Sequence, residues 1–487
     1  RLSSTKAIVS ASIPPKGVTS SERSETHPGG AEIMYLLYSL LLTVGFLALL
    51  PWFAIDALRT RKYITGLHQR LGKLPAIATH DRPLIWLHCV SVGETEAARP
   101  LVRALLARFP SYRLVVSTTT VTGQRIARDA FGRDAAAVFY FPIDLAWIVR
   151  RVLRTLRPAA LLIMETELWP HLLRECRARA IPVALINGRI SITSFGRYQM
   201  IRPFIRGVLD NLSIALMQSE QDAARIRKLG IPYERVLMPG NMKFDSAESA
   251  TDDAATAGLR ERFGFDGSKR LIVAASTHAP EELVVIDAFK QIKNSQPAYQ
   301  ARLLIAPRHP ERFGEVASLL ENSGLTWSRR SNAARVEDRS CDVILLDTIG
   351  ELRHVYSLAD IAFVGGSIAP HGGHNVLEPG ARGICVVTGA HTHNFAAVTK
   401  MMLDENAIVQ LPKVPASAAA AELAGALNTL LSNDAQRRDI GQRALMVCNR
   451  NRGATERTLH VIANLLNAPE SAGASLPFAA LPVTAAK

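Results

Sequence analysis

Between Arg82 and about Gly240, short unbroken apolar runs alternate with stretches whose apolar residues recur at three- and four-residue spacing. LIWLHCV precedes TEAARPLVRALLARF, RLVVSTTT precedes GQRIARDAF, and AALLIMET precedes HLLRECRARA, with IPVALING and SIALMQS following. Unbroken apolar runs suit strands buried on both faces, and the 3.6-residue period suits the helices that cover them. After Asp245 the polar stretch SAESATDDAATAG reads as a linker. The alternation then restarts with LIVAAS, EELVVIDAFKQI, RLLIAP, ERFGEVASLLE, DVILLD, IAFVGG and ICVVTG. The pattern predicts an α/β chain with two Rossmann-like, doubly wound parallel-sheet domains, at 56–245 and 246–467, facing a cleft.

One segment breaks this rhythm. Met34–Ile55, MYLLYSLLLTVGFLALLPWFAI, carries no charge. As a helix it would be about 33 Å long, enough to cross a hydrocarbon core of about 30 Å. Its length, its distance from the N-terminus and the missing small-x-small cleavage site argue against a cleaved leader. The absence of a polar face argues against a core helix. A transmembrane anchor at 34–55 is therefore expected. Arg59, Arg61, Lys62, Arg70 and Lys73 follow it closely, which predicts that the remaining chain stays on the cytoplasmic side. Residues 1–33, rich in Ser, Thr, Pro and Gly, read as a disordered extension or as sequence upstream of a start at Met34. Residues 468–487 read as a disordered tail.

Composition is otherwise ordinary for a globular protein, except that the net charge is +14. That excess suits an acidic partner: nucleic acid, anionic lipid or a phosphorylated substrate. Nucleic acid is disfavoured, because Lys and Arg are spread thinly and no reader motif occurs. The five cysteines form no CxxC pair, which suits a reducing compartment.

In doubly wound sheets, ligands gather where strands run into helices at their carboxyl ends. Polar residues concentrate in those positions here. Glu94 follows LIWLHCV, Glu165 and Glu167 follow AALLIM, Asn187–Arg189 follow VALI, and Lys243 precedes the linker. In the second half, Ser276–His278 follow LIVAA, Pro307–Pro310 follow RLLIA, and Thr348–Glu351 follow VILLD. IAFVGGSIAPHGGHNVLEPGA carries a strand through a glycine-rich loop into a helix, where free N–H groups suit a phosphate and Glu378 suits ribose hydroxyls. It is neither a Walker loop nor the usual dinucleotide fingerprint. His371, His374, His391 and His393 fit backbone- or ligand-bonding loop histidines better than a zinc site, and no metal is expected. Glu94 has a bland explanation as well, since the first helical turn favours carboxylates.

SVGE, METELWP, NGRIS, GNMKFD, STH, PRHPERF, LDTIGEL, FVGGS and GGHNVLEPGA, in this order, resemble the 3-deoxy-D-manno-octulosonic acid (Kdo) transferases, from about Met34 to Asn467. The resemblance implies a membrane-anchored GT-B glycosyltransferase of lipopolysaccharide core synthesis. It would transfer Kdo from CMP-Kdo to the lipid A precursor, lipid IVA, with inversion and without a metal or other cofactor. The first domain would hold acceptor and the second CMP-Kdo, at an anionic inner-membrane surface.

The family pattern implies Glu94 as proton acceptor and Glu165 and Lys243 as transition-state stabilisers. It implies Pro307, Arg308, Ile349, Gly350, Glu351, Asn375, Val376, Leu377 and Glu378 as the CMP site. At the start of a helix Glu94 is expected to have a lowered pKa and to be ionised at neutral pH. Glu165 is also readable, as the lesser alternative, as one side of a structural salt bridge. Since all the motifs lie beyond the anchor, the anchor is expected to be separable from the chemistry. Two other readings stand beside this one: a GT-B transferase that uses a UDP-sugar, and a non-catalytic binder of sugar nucleotides or lipids.

Overall fold

The computed structural model describes residues 28–60, 65–77, 82–246, 253–295 and 301–467 of the 487-residue chain. Most of the expected N-terminal extension, the expected tail and part of the linker lie outside the described residues. Two seven-stranded parallel sheets form. The first comprises β1 (Leu84–His88), β2 (Arg113–Thr118), β3 (Ala137–Tyr140), β4 (Ala160–Met164), β5 (Val183–Gly188), β6 (Ile214–Met217) and β7 (Val236–Leu237), in the order β3-β2-β1-β4-β5-β6-β7. The second comprises β8 (Arg270–Thr277), β9 (Ala301–Pro307), β10 (Trp327–Arg329), β11 (Val343–Leu345), β12 (Ile361–Val364), β13 (Cys385–Thr388) and β14 (Val409–Gln410), in the order β10-β11-β9-β8-β12-β13-β14.

The central strands β1, β4 and β5 are buried along their whole length, as their unbroken apolar runs require. Helices pack on both faces of each sheet and divide the core into separate apolar clusters on either side. The periodicity did not predict β3, β7, β10 and β14, which are the four sheet edges. Each has two to four residues. A strand so short, half-exposed and paired on one side imposes little pattern on its sequence.

Strand order reverses between β1 and β4 in the first sheet, and between β8 and β12 in the second. Both pairs are directly hydrogen-bonded and parallel, so the loops leaving them meet at a topological switch point. Glu94 leaves β1 and Glu165 leaves β4; His278 leaves β8 and the glycine-rich loop leaves β12. The order of pairing thus brings together residues far apart in the chain.

Two helices cross the expected divisions. The last described helix, Ala454–Asn467, falls within the stretch expected to belong to the second domain. Its Leu459, Val461, Ile462 and Leu465 are buried in the core of the first sheet. Asp245 holds the return crossing, accepting from Gly453 N at 2.7 Å and Thr455 N at 2.6 Å. At the other end, the helix Pro28–Thr60 contains an 18-residue span, Glu32–Leu49, long and apolar enough to cross a membrane. Ile33, Leu36, Leu37, Leu40, Leu41 and Val44 on that span are exposed. Met34, Tyr35, Tyr38, Ser39 and Leu42, at helical spacing, are at least half-buried. Tyr38 donates to Asp144 at 3.0 Å, Ser39 Oγ lies 2.7 Å from His171 Nε2, and Arg174 sits over the Tyr35 ring. The span therefore has a docked stripe as well as an apolar one, which its lack of charge conceals.

Candidate functional site

Ser91 caps the helix Val92–Arg108, and Glu94 lies in its first turn. The Glu94 carboxyl closes back on the loop, accepting from Val90 N at 2.7 Å and from Ser91 Oγ at 3.0 Å. The capping explanation is thus realised. The expected pKa is not. Burial, and then the neighbouring Glu165 carboxylate, push Glu94 up to about 8, outweighing the two hydrogen bonds. Being at the start of a helix is a surface advantage; here the group is 7% exposed and stands among like charges. Burial and Glu165 raise Glu167 as well, to about 7.

Lys243 Nζ donates to Glu165 Oε1 at 2.9 Å. This pair is the salt bridge that one sequence reading allowed, and it lies in the same cluster as Glu94. Lys243 is delivered there by Asn187, whose side chain accepts from Met242 N at 3.0 Å. Glu165 and Asn187 have φ of 55° and 51°, and Ser276, at the corresponding end of the second sheet, has 53°. Non-glycine residues in this region each cost of order 1–3 kcal/mol and concentrate at functional sites.

In the second sheet, Pro307 ends β9, and Arg308 emerges exposed with its N–H on Thr277 O at 3.0 Å. Asn375 orders the turn into Leu377–Gly380: its Oδ1 accepts from Leu377 N at 3.1 Å and its Nδ2 donates to Glu378 Oε1 at 3.1 Å. Val376 and Leu377 are buried beneath it. Burial raises the Glu378 pKa, opposed by Asn375 and by the positive charges of Arg382 and Arg308. Ile349 is exposed, whereas Glu351 accepts from Arg330 Nη2 at 2.8 Å and from Thr348. The helix that follows, Leu352–Tyr356, packs on Leu377–Gly380, so these three loops adjoin. Across the cleft, Glu96 of the first unit adds to the forces raising Glu378. Lys243 Nζ lies 5.8 Å from the centroid of Phe395.

The start of the glycine-rich loop, ahead of the helix on which the phosphate was expected, is filled from within. Glu281, fully buried, accepts from the N–H groups of Gly366 (2.6 Å), Ser367 (2.8 Å), Ile368 (2.8 Å) and Ala369 (3.3 Å). It also accepts from His278 N at 3.1 Å. Those donors are satisfied by the protein's own carboxylate, so they are not open to a phosphate. The sequence reading passed over Glu281. The signal was present: STHAPEEL, like SVGETEA, places an acid where a buried strand turns into a helix. No group of three or more His, Cys, Asp or Glu is arranged to hold a metal among the described residues.

The 3-deoxy-D-manno-octulosonic-acid transferase (kdotransferase) family profile matches residues 65–246. The 3-deoxy-D-manno-octulosonic acid transferase of Haemophilus influenzae is 32% identical over 425 residues, covering 87% of this chain and 97% of that protein. The Bordetella pertussis transferase of the same name is 35% identical over 387 residues, covering 78% and 87%. UDP-GlcNAc 2-epimerase from Neisseria meningitidis, solved bound to UDP-GlcNAc, superposes with a TM-score of 0.53 over 78% of this chain and 99% of its own. At 11% identity that likeness concerns the fold alone, two facing Rossmann-like units of the GT-B kind. With the Haemophilus influenzae relative matched along nearly its whole length, the chain belongs to the Kdo transferase family, enzymes of lipopolysaccharide synthesis.

Proposed function

We propose that the protein transfers Kdo from CMP-Kdo to lipid IVA, inverting the anomeric centre, without a metal, at the cytoplasmic face of the inner membrane. The first unit receives the acceptor and the second the donor. Glu94 removes the proton from the attacking acceptor hydroxyl as the new carbon–oxygen bond forms and the bond to the CMP phosphate breaks, its electron pair leaving with CMP. Lys243 and Arg308 offset the charge gathering on the departing phosphate. Glu165 orients Lys243 and complements positive charge on the sugar. The observation that carries the reading is the grouping of Glu94, Glu165 and Lys243 at one switch point, opposite the loops of Arg308 and Glu378.

The test is transfer of labelled Kdo from CMP-Kdo to lipid IVA. Glu94→Gln should lower turnover by about 10²–10⁴-fold, the usual worth of a positioned general base, while CMP affinity stays within about twofold. Near-normal turnover would remove Glu94 from the chemistry. Saturation by UDP-GlcNAc in place of CMP-Kdo would favour a UDP-sugar transferase.

A further inference from the structure

Four imidazoles converge beside Arg308 from three loops of the second sheet. His278 leaves β8, His309 leaves β9, and His371 and His374 lie in the loop after β12. The Nε2 atoms of His278 and His374 are 2.8 Å apart, so one ring donates to the other. Their planes are within 4° of parallel, His371 stacks on His278 at 4.3 Å between centroids, and His309 meets it edge-on at 5.1 Å. The loop is shaped to accept the pair: a Cβ on Gly366, at φ 66°, would stand 2.9 Å from the His374 ring.

The charge of this cluster is uncompensated. Glu281, the carboxylate beneath it, is engaged by five backbone N–H groups. Arg312, four residues on from Arg308, is paired with Glu282 and Glu315, whereas Arg308 has no carboxylate within 4.0 Å among the described residues. Burial, and then the neighbouring His371, His309, Arg308 and Arg312, hold His278 down to about 4. Burial, Arg308 and the other three imidazoles hold His374 down to about 3. Burial first, and the charged neighbours after it, oppose a proton on His278 and His374. His309 and His371 are solvent-exposed, so the cluster opens outward.

We propose that His278, His309, His371 and His374, with Arg308, form an anion subsite that receives the phosphoryl or carboxylate group of the activated acid sugar. The inference rests on the placement of the donor nucleotide against Arg308 and adds a recognition element to it. Imidazole N–H groups and a guanidinium supply directional donors at a locus of positive potential, and the anion supplies the charge that the protein withholds. With the N–H groups of Gly366, Ser367, Ile368 and Ala369 already engaged by Glu281, these side chains take over the role of an N–H cradle.

Binding of CMP, of cytidine and of CMP-N-acetylneuraminate to the full-length protein in detergent, measured by calorimetry, tests this. Cytidine lacks both anions, CMP has the phosphate alone, and the third compound adds an anomeric carboxylate. For His278→Asn/His374→Asn, CMP affinity should fall at least about tenfold, or about 1.4 kcal/mol, with cytidine affinity unchanged. A loss confined to CMP-N-acetylneuraminate would place the sugar carboxylate in the cluster and equally support the subsite. Unchanged affinity for both anionic ligands, or an equal loss for cytidine, would overturn it. His371→Asn, at an exposed ring, gives the same test with less risk to folding and should give a smaller loss of the same selectivity. Arg308→Gln separates the two levels. If it weakens CMP while the histidine variants do not, only the subsite fails. If neither does, the placement of the donor fails with it.

Discussion

Glu94 shows how burial and like charge override local position. A carboxyl in a helical first turn is favoured when ionised, yet here its ordinary value of 4.5 is raised to about 8. As the proposed general base it must be ionised, so kcat/KM should rise with pH through a limb near 8. Glu165 is the second cause of the shift. Glu165→Gln removes that charge and should move the limb to lower pH, while reducing maximal turnover because Lys243 loses its partner. The pH–rate profiles of the two proteins check this; an unmoved limb would mean that another group titrates. Glu281 acts through the loop it holds. Glu281→Gln turns one acceptor oxygen into an NH₂ group that faces N–H donors, so the glycine-rich loop should loosen. The apparent KM for CMP-Kdo should rise at least about tenfold, with the KM for lipid IVA within about twofold. A matching rise in both would indicate general loss of structure, and Glu281→Asp should restore part of the donor affinity.

At the scale of elements, the N-terminal helix is docked on the first unit as well as apolar. Asp144 accepts from His171 N at 3.0 Å and Leu172 N at 2.8 Å, capping the helix Pro170–Arg177, and Tyr38 closes it from the other side. Tyr38→Phe should cost about 1–3 kcal/mol by leaving a buried acceptor underserved. Removing residues 1–60 would also uncover Phe204, which packs against Tyr35 and Tyr38. The truncated chain should melt below the full-length protein in the same detergent, rather than behave as the same domain set free. Equal melting temperatures would show that docking adds nothing. The uncharged length of this segment was legible, but its docked face was not, because tyrosine and serine on an apolar helix are compatible with either environment.

For the whole molecule, the two units are joined by more than the linker. The C-terminal helix returns to the first sheet, with Arg108 beside Glu456 at 3.7 Å and Arg457 Nε donating to Pro239 O at 2.8 Å. Leu459, Val461, Ile462 and Leu465 are each worth about 1.5–3 kcal/mol when buried. Together they rival the 5–15 kcal/mol of net stability of a typical domain. A chain ending at Arg452 should therefore fail to fold its first unit, and a separate peptide of residues 453–467 should restore folding. Circular dichroism melts with and without the peptide check this, and a stable truncated chain would refute it.

Much of this architecture is local information. Strand runs, helical periods, the apolar span and the motif order act over windows of about ten to twenty residues, so the sequence alone determined two α/β units, a candidate anchor and the polar loops at the strand ends. Glu94, Glu165 and Lys243 were legible among the polar loop residues, and the resemblance singled them out as a set. What only the tertiary structure decided depends on distance through space. Strand order at β1/β4 and β8/β12 set which loops meet. The approach of Glu165 and the burial around Glu94 set the direction of its pKa shift. Glu281 reached 85 residues along the chain to fill the loop at Gly366, and Tyr38 reached 106 to Asp144. Charge, burial and hydrogen bonding at each of these points belong to pairs of residues that no sequence window contains.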